Sequence, residues 1–331
     1  MTPTLPEAIA EFSPTLPVAV AFSGGADSTA LLLACHQKWP EQVAAIHIHH
    51  GLQAAADGFQ SHCEKLCAQL AIPLVVRRVD GHGASGQSPE DAARSARYRA
   101  FAELALEGWP SCSRGGVQQD FAQPRTLLLA QHADDQVETV VLALGRGAGL
   151  PGLAAMPKRW LRSGVEYHRP LLGVSAIDIR EWLVRQGVGF IEDPSNSDLR
   201  FTRNQIRAKI LPALQSVFPH MRVTFARSAA HAAQAQSLLH ELGEEDLTRT
   251  SNASAAGLVI KQLQGLSRAR QANLLRHWLA VRFATQASAA QLNELLDQIA
   301  SCTTRGHRIH IKVGAGFASR QGENLTWYNS N

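Results

Sequence analysis

No C-x-x-C pair occurs in this sequence. Its five cysteines are an odd count, which argues against a disulfide framework. Cys63 and Cys67 stand four apart on an expected helix, and they have neither the spacing nor the second pair of a zinc or iron–sulfur site. No apolar run is long enough to cross a bilayer. The opening Met1-Thr2-Pro3-Thr4-Leu5-Pro6-Glu7 lacks the basic region and apolar core of a signal peptide, so a cytoplasmic protein with no membrane partner is expected. Charge is sparse, at 18% of residues, and the formal net charge is only +4. That mild basic excess is compatible with a nucleic-acid partner without demanding one. There is no internal repeat. The 331 residues, 45% of them hydrophobic, can bury a sizeable core and suit two domains better than one.

The most informative stretch runs from Val18-Ala19-Val20-Ala21-Phe22 into Ser23-Gly24-Gly25-Ala26-Asp27-Ser28. The apolar run reads as a buried strand of a parallel sheet, and Thr29-Ala30-Leu31-Leu32-Leu33-Ala34 reads as the helix that follows the glycines. A strand, a tight glycine turn and a helix N-terminus make a concave set of N–H groups with partial positive charge, suited to phosphate. No Lys follows the glycines, so the loop is not a Walker A motif, and it is not G-x-G-x-x-G. Ser23-Gly24-Gly25-x-Asp27-Ser28 after a strand resembles the pyrophosphate loop of the N-type ATP pyrophosphatases, which split ATP between its α and β phosphates to adenylate a substrate.

Strand and helix patterns then alternate. Val43–His49 reads as a strand ending at His50-Gly51-Leu52, Asp57–Leu70 as a helix, Leu74–Val79 as a strand and Pro89–Leu106 as a helix capped by Ser88. Thr126–Ala130 is another buried strand. This alternation predicts an α/β fold, an open parallel sheet with helices on both faces. Residues 108–125 are rich in Gly, Ser, Gln and Pro and read as a surface loop or insertion. Met221–Leu242, Leu266–Phe283 and Ala289–Ala300 have helical spacing, and Arg308–Val313 is expected to pair with Asn324–Tyr328 as a terminal hairpin. The Pro-containing stretch around Pro212 and Pro219 is the expected boundary, giving a catalytic domain over 1–214 and a smaller, mainly helical domain over 215–331.

A second polar cluster, His132-Ala133-Asp134-Asp135-Gln136-Val137-Glu138-Thr139, follows Thr126–Ala130 and lies at the carboxyl edge of the sheet, where open α/β sheets bind ligands. Asp134 and Glu138 are four apart and Asp135 and Glu138 three apart, so the carboxylates share a helix face. Such clustering calls for a cation, either Mg²⁺ or an ammonium ligand; a plainer reading leaves Asp134 and Asp135 simply at the positive end of the helix. Gly145–Leu153 reads as a loop close to a ligand or as a connector. Arg200, Arg203, Arg207 and Lys209 form a basic segment after Glu192–Asp198, fit for a phosphate or a carboxylate or for a solvated helix face.

Taken in order, Ser23–Ser28, His50–Leu52, Ala93–Tyr98, His132–Thr139, Gly145–Leu153, Arg169–Leu172 and Glu192–Arg207 resemble the tRNA(Ile)-lysidine synthases over most of 18–214. The resemblance implies ligation of L-lysine to C2 of the wobble cytidine in a CAU anticodon, through an ATP-adenylated tRNA. It implies ATP binding by Ser23, Gly24, Gly25, Ala26, Asp27 and Ser28, and catalytic roles for Asp27, His132, Asp135 and Glu138. Asp135, Glu138, Arg203 and Arg207 would bind substrate, with the lysine ammonium on Asp135 and Glu138 and its carboxylate on an Arg such as Arg203. Mg²⁺ is expected on Asp27 and Asp134, and the general base is left open between His132 and a nearby carboxylate. A homodimer is one assembly the resemblance allows. Gln53 departs from the family, which more often has Arg there, the 108–125 segment is longer than usual, and one helical domain with a hairpin matches the family's shorter form. A 2-thiocytidine synthase of the same superfamily would be expected to carry paired C-x-x-C motifs, which are lacking.

Overall fold

The computed structural model describes residues 2–49, 56–79, 89–107, 112–114, 117–119, 123–251, 257–304 and 306–329. The His50-Gly51-Leu52 turn, Gln53, the Ser88 cap and most of the 108–125 segment lie outside the described residues. The chain divides into two compact units between Ala232 and Ala233, inside a long helix.

The first unit carries the strands β1 (Val18–Ala21), β2 (Val43–His49), β3 (Leu74–Arg78), β4 (Cys112–Arg114), β5 (Val117–Gln119), β6 (Thr126–Leu128), β7 (Arg159–Arg162) and β8 (Val165–His168). Its helices are α1 (Leu5–Glu11), α2 (Ala26–Lys38), α3 (Ala56–Gln69), α4 (Pro89–Glu107), α5 (Ala133–Gly145), α6 (Leu150–Leu153), α7 (Ala176–Arg185), α8 (Thr202–Gln205) and α9 (Leu211–Val217), with a π-helical turn over Ile206–Ile210. Six strands form one sheet in the order β3-β2-β1-β6-β8-β7. The pairs β1 with β2, β1 with β6, β2 with β3 and β6 with β8 are parallel. The β7–β8 hairpin, which the sequence pattern does not announce, adds an antiparallel edge strand and makes the sheet mixed.

The sheet is apolar on both faces because helices cover both. Val18 and Val20 pack with Leu31, Leu32 and Ile179 on one side, whereas Ala19 packs with Ile46, Tyr98, Phe101 and Tyr167 on the other. This is the two-residue alternation of a strand read by two separate cores. Strand order reverses at β1, which has β2 on one side and β6 on the other. The carboxyl ends of β1 and β6 therefore border the crevice at the switch point of the sheet, where ligands collect in open α/β folds.

In the second unit, α11 (Ile260–Gln264), α12 (Arg268–Phe283) and α13 (Ala289–Ser301) follow the long helix α10 (Met221–Thr250). They bury Leu274, Leu275, Trp278, Leu295 and Ile299 against a four-stranded antiparallel sheet. That sheet comprises β9 (Leu258–Val259), β10 (His310–Val313), β11 (Gly316–Gln321) and β12 (Asn324–Tyr328), in the order β10-β11-β12-β9. The expected direct pairing of 308–313 with 324–328 is corrected here. Gly314, at φ +59°, turns the chain so that β11 comes between the two. Burial along β11 does not alternate cleanly, Ala318 and Ser319 both being buried, so the sequence pattern does not mark it as a strand.

Candidate functional site

The loop after β1 is held open by its own hydroxyls. The Ser23 amide donates to Ser28 Oγ (3.2 Å), the two seryl oxygens lie 3.0 Å apart, and Ser28 Oγ donates to the Gly25 carbonyl (3.1 Å). Thr29 Oγ1 donates to the same carbonyl at 2.9 Å. Gly25 is the N-cap of α2 and offers no capping side chain, so the first amides of the helix face the crevice without an internal acceptor. Gly24 sits at φ +85°, and a Cβ there would meet Cys63 Sγ at 3.2 Å and His62 at 3.4 Å. Backbone geometry and packing both demand glycine. Burial pushes the Cys63 thiol up to about 12, so it is a packing group behind the loop rather than a nucleophile.

From the neighbouring strand, β6, the chain enters α5 through His132. Its imidazole is buried and stands between three carboxylates. Nε2 lies 3.7 Å from Asp27 Oδ2 and 3.5 Å from Asp135 Oδ2, while Nδ1 lies 3.8 Å from Asp134 Oδ2. His132 Nδ1 has no hydrogen-bond partner within the protein. The His132 amide donates to Asp135 Oδ2 (3.1 Å), the backward half of a capping box, which fixes the Asp135 carboxylate at the helix start. Burial raises the pKa of Asp27, the nearby Asp135 adds to that, and His132, Arg180 and Arg207 oppose it. Gln136 clamps the Met156 backbone in both directions at 3.1 Å and so anchors the segment after the glycine run.

Glu138, one turn farther along α5, is completely buried. It receives a fork from Arg207, Nε to Oε1 at 2.8 Å and Nη2 to Oε2 at 3.1 Å, and Arg203 Nε lies 3.2 Å from Oε2. Burial raises the pKa of this carboxyl, and Arg207 and Arg203 oppose the rise. Arg203 Nη2 also donates to Thr139 Oγ1 (2.9 Å), and Arg207 Nη2 reaches within 3.5 Å of Asp135 Oδ1. Asn204 ties the segment down through the Ser195 and Asp198 carbonyls.

Asp27, His132, Asp135, Glu138, Arg203 and Arg207 converge in one chain of contacts beside the Ser23–Ser28 loop. Asp134 and Asp27, expected together around a metal, lie against different nitrogens of the His132 ring. Asp134 Oδ2 accepts from the Ala176 amide (2.9 Å), and Oδ1 takes Arg222 through Nε at 2.9 Å and Nη2 at 2.6 Å. Burial opposes its ionisation, but Arg222 and the amide hold its pKa below the ordinary carboxylate value. Arg222, at the start of α10, was not singled out by sequence. It sits among the Ala- and Arg-rich residues of a long helix, 88 positions from its partner, and no local motif marks it. Among the described residues no group of three or more His, Cys, Asp or Glu side chains could hold a metal by itself, and no helix is long and apolar enough to cross a membrane.

Comparison with known proteins adds family evidence. A PP-loop domain model matches residues 4–214, and a TilS substrate binding domain model matches 258–326. A tRNA(Ile)-lysidine synthase of Polaromonas naphthalenivorans is 55% identical over 95% of this chain and 90% of its own length. The chain covers less of other relatives that carry the same name. It spans 58% of that of Pseudomonas aeruginosa, at 44% identity over 78% of this chain. It spans 69% of that of Escherichia coli O157:H7, at 38% identity over 95% of this chain. A solved U34-tRNA thiolase of Methanococcus maripaludis shares the fold, with a TM-score of 0.52 and 15% identity over 65% of this chain and 70% of that one.

Proposed function

The chain belongs to the tRNA(Ile)-lysidine synthase family, and from that premise we propose that it ligates L-lysine to C2 of the wobble cytidine, position 34, of the CAU-anticodon tRNA(Ile). In the first step the C2 carbonyl oxygen attacks the α-phosphorus of ATP. The bond to the bridging oxygen breaks and pyrophosphate leaves. In the second, the lysine ε-amine attacks C2, the C2–O bond breaks, AMP leaves and the amine gives up its protons. The product would pair with AUA rather than AUG and be charged with Ile rather than Met.

One observation carries the reading. The chain of contacts Asp27–His132–Asp135–Arg207–Glu138 joins a phosphate-binding loop to an acidic helix face and a basic segment within one crevice. The amides at the start of α2 and the Ser23 and Ser28 hydroxyls would seat the triphosphate and stabilise the charge that builds on the departing pyrophosphate. Asp27, partly exposed beside that loop, fits Mg²⁺, which takes one or two carboxylates together with phosphate oxygens; Asp134, with both oxygens engaged, does not. The ion would neutralise phosphate charge.

For the second substrate, Asp135 is the carboxylate left to meet the lysine ammonium, since Glu138 is enclosed by two guanidiniums. Glu138 acts as a positioning residue that holds Arg203 and Arg207 toward the lysine carboxylate. His132, whose Nε2 lies near both Asp27 and Asp135, would take the amine proton. The test is ATP–pyrophosphate exchange with CAU-anticodon tRNA, followed by lysine incorporation. Exchange that needs this tRNA, and lysine found on the wobble cytidine, support the proposal. Exchange without tRNA, or an unchanged cytidine, rejects it.

A further inference from the structure

On the opposite face of the sheet from α2, three guanidiniums gather on two aromatic rings. Arg169, only 3% exposed, lies with Cζ 4.0 Å from the centre of the Trp160 ring. Arg162 and Arg94, both exposed, stand 4.7 Å and 5.4 Å from the centre of the Tyr98 ring. Trp160 and Tyr98 both pack against Tyr167, so the rings form one platform. Among the described residues, none of the three arginines has a carboxylate partner. Glu166, the acid on the adjacent strand, is taken by Arg159 and His168.

A buried cation without an anion is costly, and Arg169 is satisfied only by neutral groups. Its Nε donates to Gln131 Oε1 (2.9 Å) and its Nη1 to the Pro157 carbonyl (2.7 Å). Burial, with Arg94 adding to it and Tyr98 opposing it, lowers its pKa to about 10. Packing on the Tyr98 ring restrains the two exposed heads through cation–π contact. A solvated surface arginine has no such restraint. Asp135, which bears on Arg169 through space, already faces His132 and Arg207. The cluster is therefore a cationic surface that meets no carboxylate among the described residues, and Arg169 ties it to the reaction crevice, because Gln131 immediately precedes His132.

We propose that Arg94, Arg162 and Arg169 form a second phosphate site that takes the sugar–phosphate backbone of the RNA substrate beside the reacting nucleotide. This rests on the reading of the substrate as tRNA. The ATP phosphates already have the loop at the end of β1, whereas a nucleotide held at the β1–β6 crevice must carry its flanking phosphodiesters past β6 and β8.

The experiment measures binding of a labelled anticodon stem-loop to the full chain at several salt concentrations, with Arg94→Gln, Arg162→Gln and the double variant. Each single change should weaken binding by about 5–10-fold at 0.1 M salt. Each should also lower the slope of log K against log salt by about 0.7, the increment for one lost single-strand phosphate contact. A stem-loop with another anticodon should lose as much, because a phosphate contact carries no sequence. The KM for ATP in pyrophosphate exchange and the melting temperature should stay at wild-type values. Unchanged affinity and slope in the double variant would overturn the proposal. So would a raised ATP KM with RNA binding intact, which would assign the cluster to ATP phosphate. Should the wild-type chain form no lysidine, the functional reading fails by itself, while the salt series still judges the cluster.

Discussion

Replacing Glu138 by Gln is the sharpest perturbation the site offers. The carboxylate is fully buried and accepts the Arg207 fork at 2.8 and 3.1 Å, with Arg203 Nε at 3.2 Å. Gln keeps the shape and one neutral acceptor, but it places an NH₂ group against a guanidinium that can only donate. Removing one partner of a buried pair costs about 3–5 kcal/mol when the other charge stays buried. Here Arg207 and Arg203 are 41% and 35% exposed, so both can turn toward water and part of the cost is recovered. About 2–3 kcal/mol is the expected loss, or roughly 5–10 °C in melting temperature for a unit of this size.

The functional effect should separate by step. If Glu138 holds the two arginines toward the lysine carboxylate, the KM for lysine rises about tenfold or more, while tRNA-dependent pyrophosphate exchange stays within about threefold of wild type. The double variant Glu138→Leu/Arg207→Met tests whether the pair acts as a unit. Its stability loss should fall short of the sum of the single losses by at least about 1 kcal/mol, because Arg207 is removed together with its partner and only the half-exposed Arg203 loses a contact. Wild-type stability with an unchanged lysine KM in Glu138→Gln would refute the reasoning. Equal damage to exchange and lysine use would assign Glu138 to the adenylation step instead.

Gly24→Ala should cost about 1–2 kcal/mol from its left-handed backbone and lower ATP use by at least about tenfold, because the loop must shift away from Cys63 and His62; pyrophosphate exchange and urea unfolding measure the two effects. The pKa of Asp134 lies below its unfolded value of about 3.9, so its contribution to stability is fully present above that value and is lost as pH falls through the lower folded one. Asp134→Asn should therefore flatten the acid limb of the stability–pH curve below about pH 4 while lowering stability at pH 7, and denaturant titrations across pH 2–7 would show it; an acid limb identical to wild type would deny Asp134 that role.

What the sequence made legible, and what it did not, follows from the range of the forces involved. The Ser23–Ser28 loop could be read because strand, turn and helix start are contiguous, and its hydrogen bonds run between residues at most five apart. Asp135 at the start of α5 could be read for the same reason, since its bond to the His132 amide is a local cap. Helix spacing placed Glu138 near Asp135, but spacing specifies a face and not what covers it. The cover is Arg203 and Arg207, 65 and 69 residues away, and it turns an expected ammonium ligand into a buried anchor for two cations. Asp134 shows the same limit, its neighbour on the sequence being His132 and its partner in space Arg222. The strand pairing at the end of the chain failed on a shorter scale, where β11 alternates too weakly to announce itself between two stronger strands. Carboxylates on a helix face therefore record only half of an electrostatic arrangement. Whether such a residue meets a substrate cation or the protein's own arginine depends on which distant segment folds over it. In this crevice Asp134 and Glu138 are taken by arginines from distant segments, and on the proposed reading Asp27 and Asp135 are the carboxylates left for the substrates.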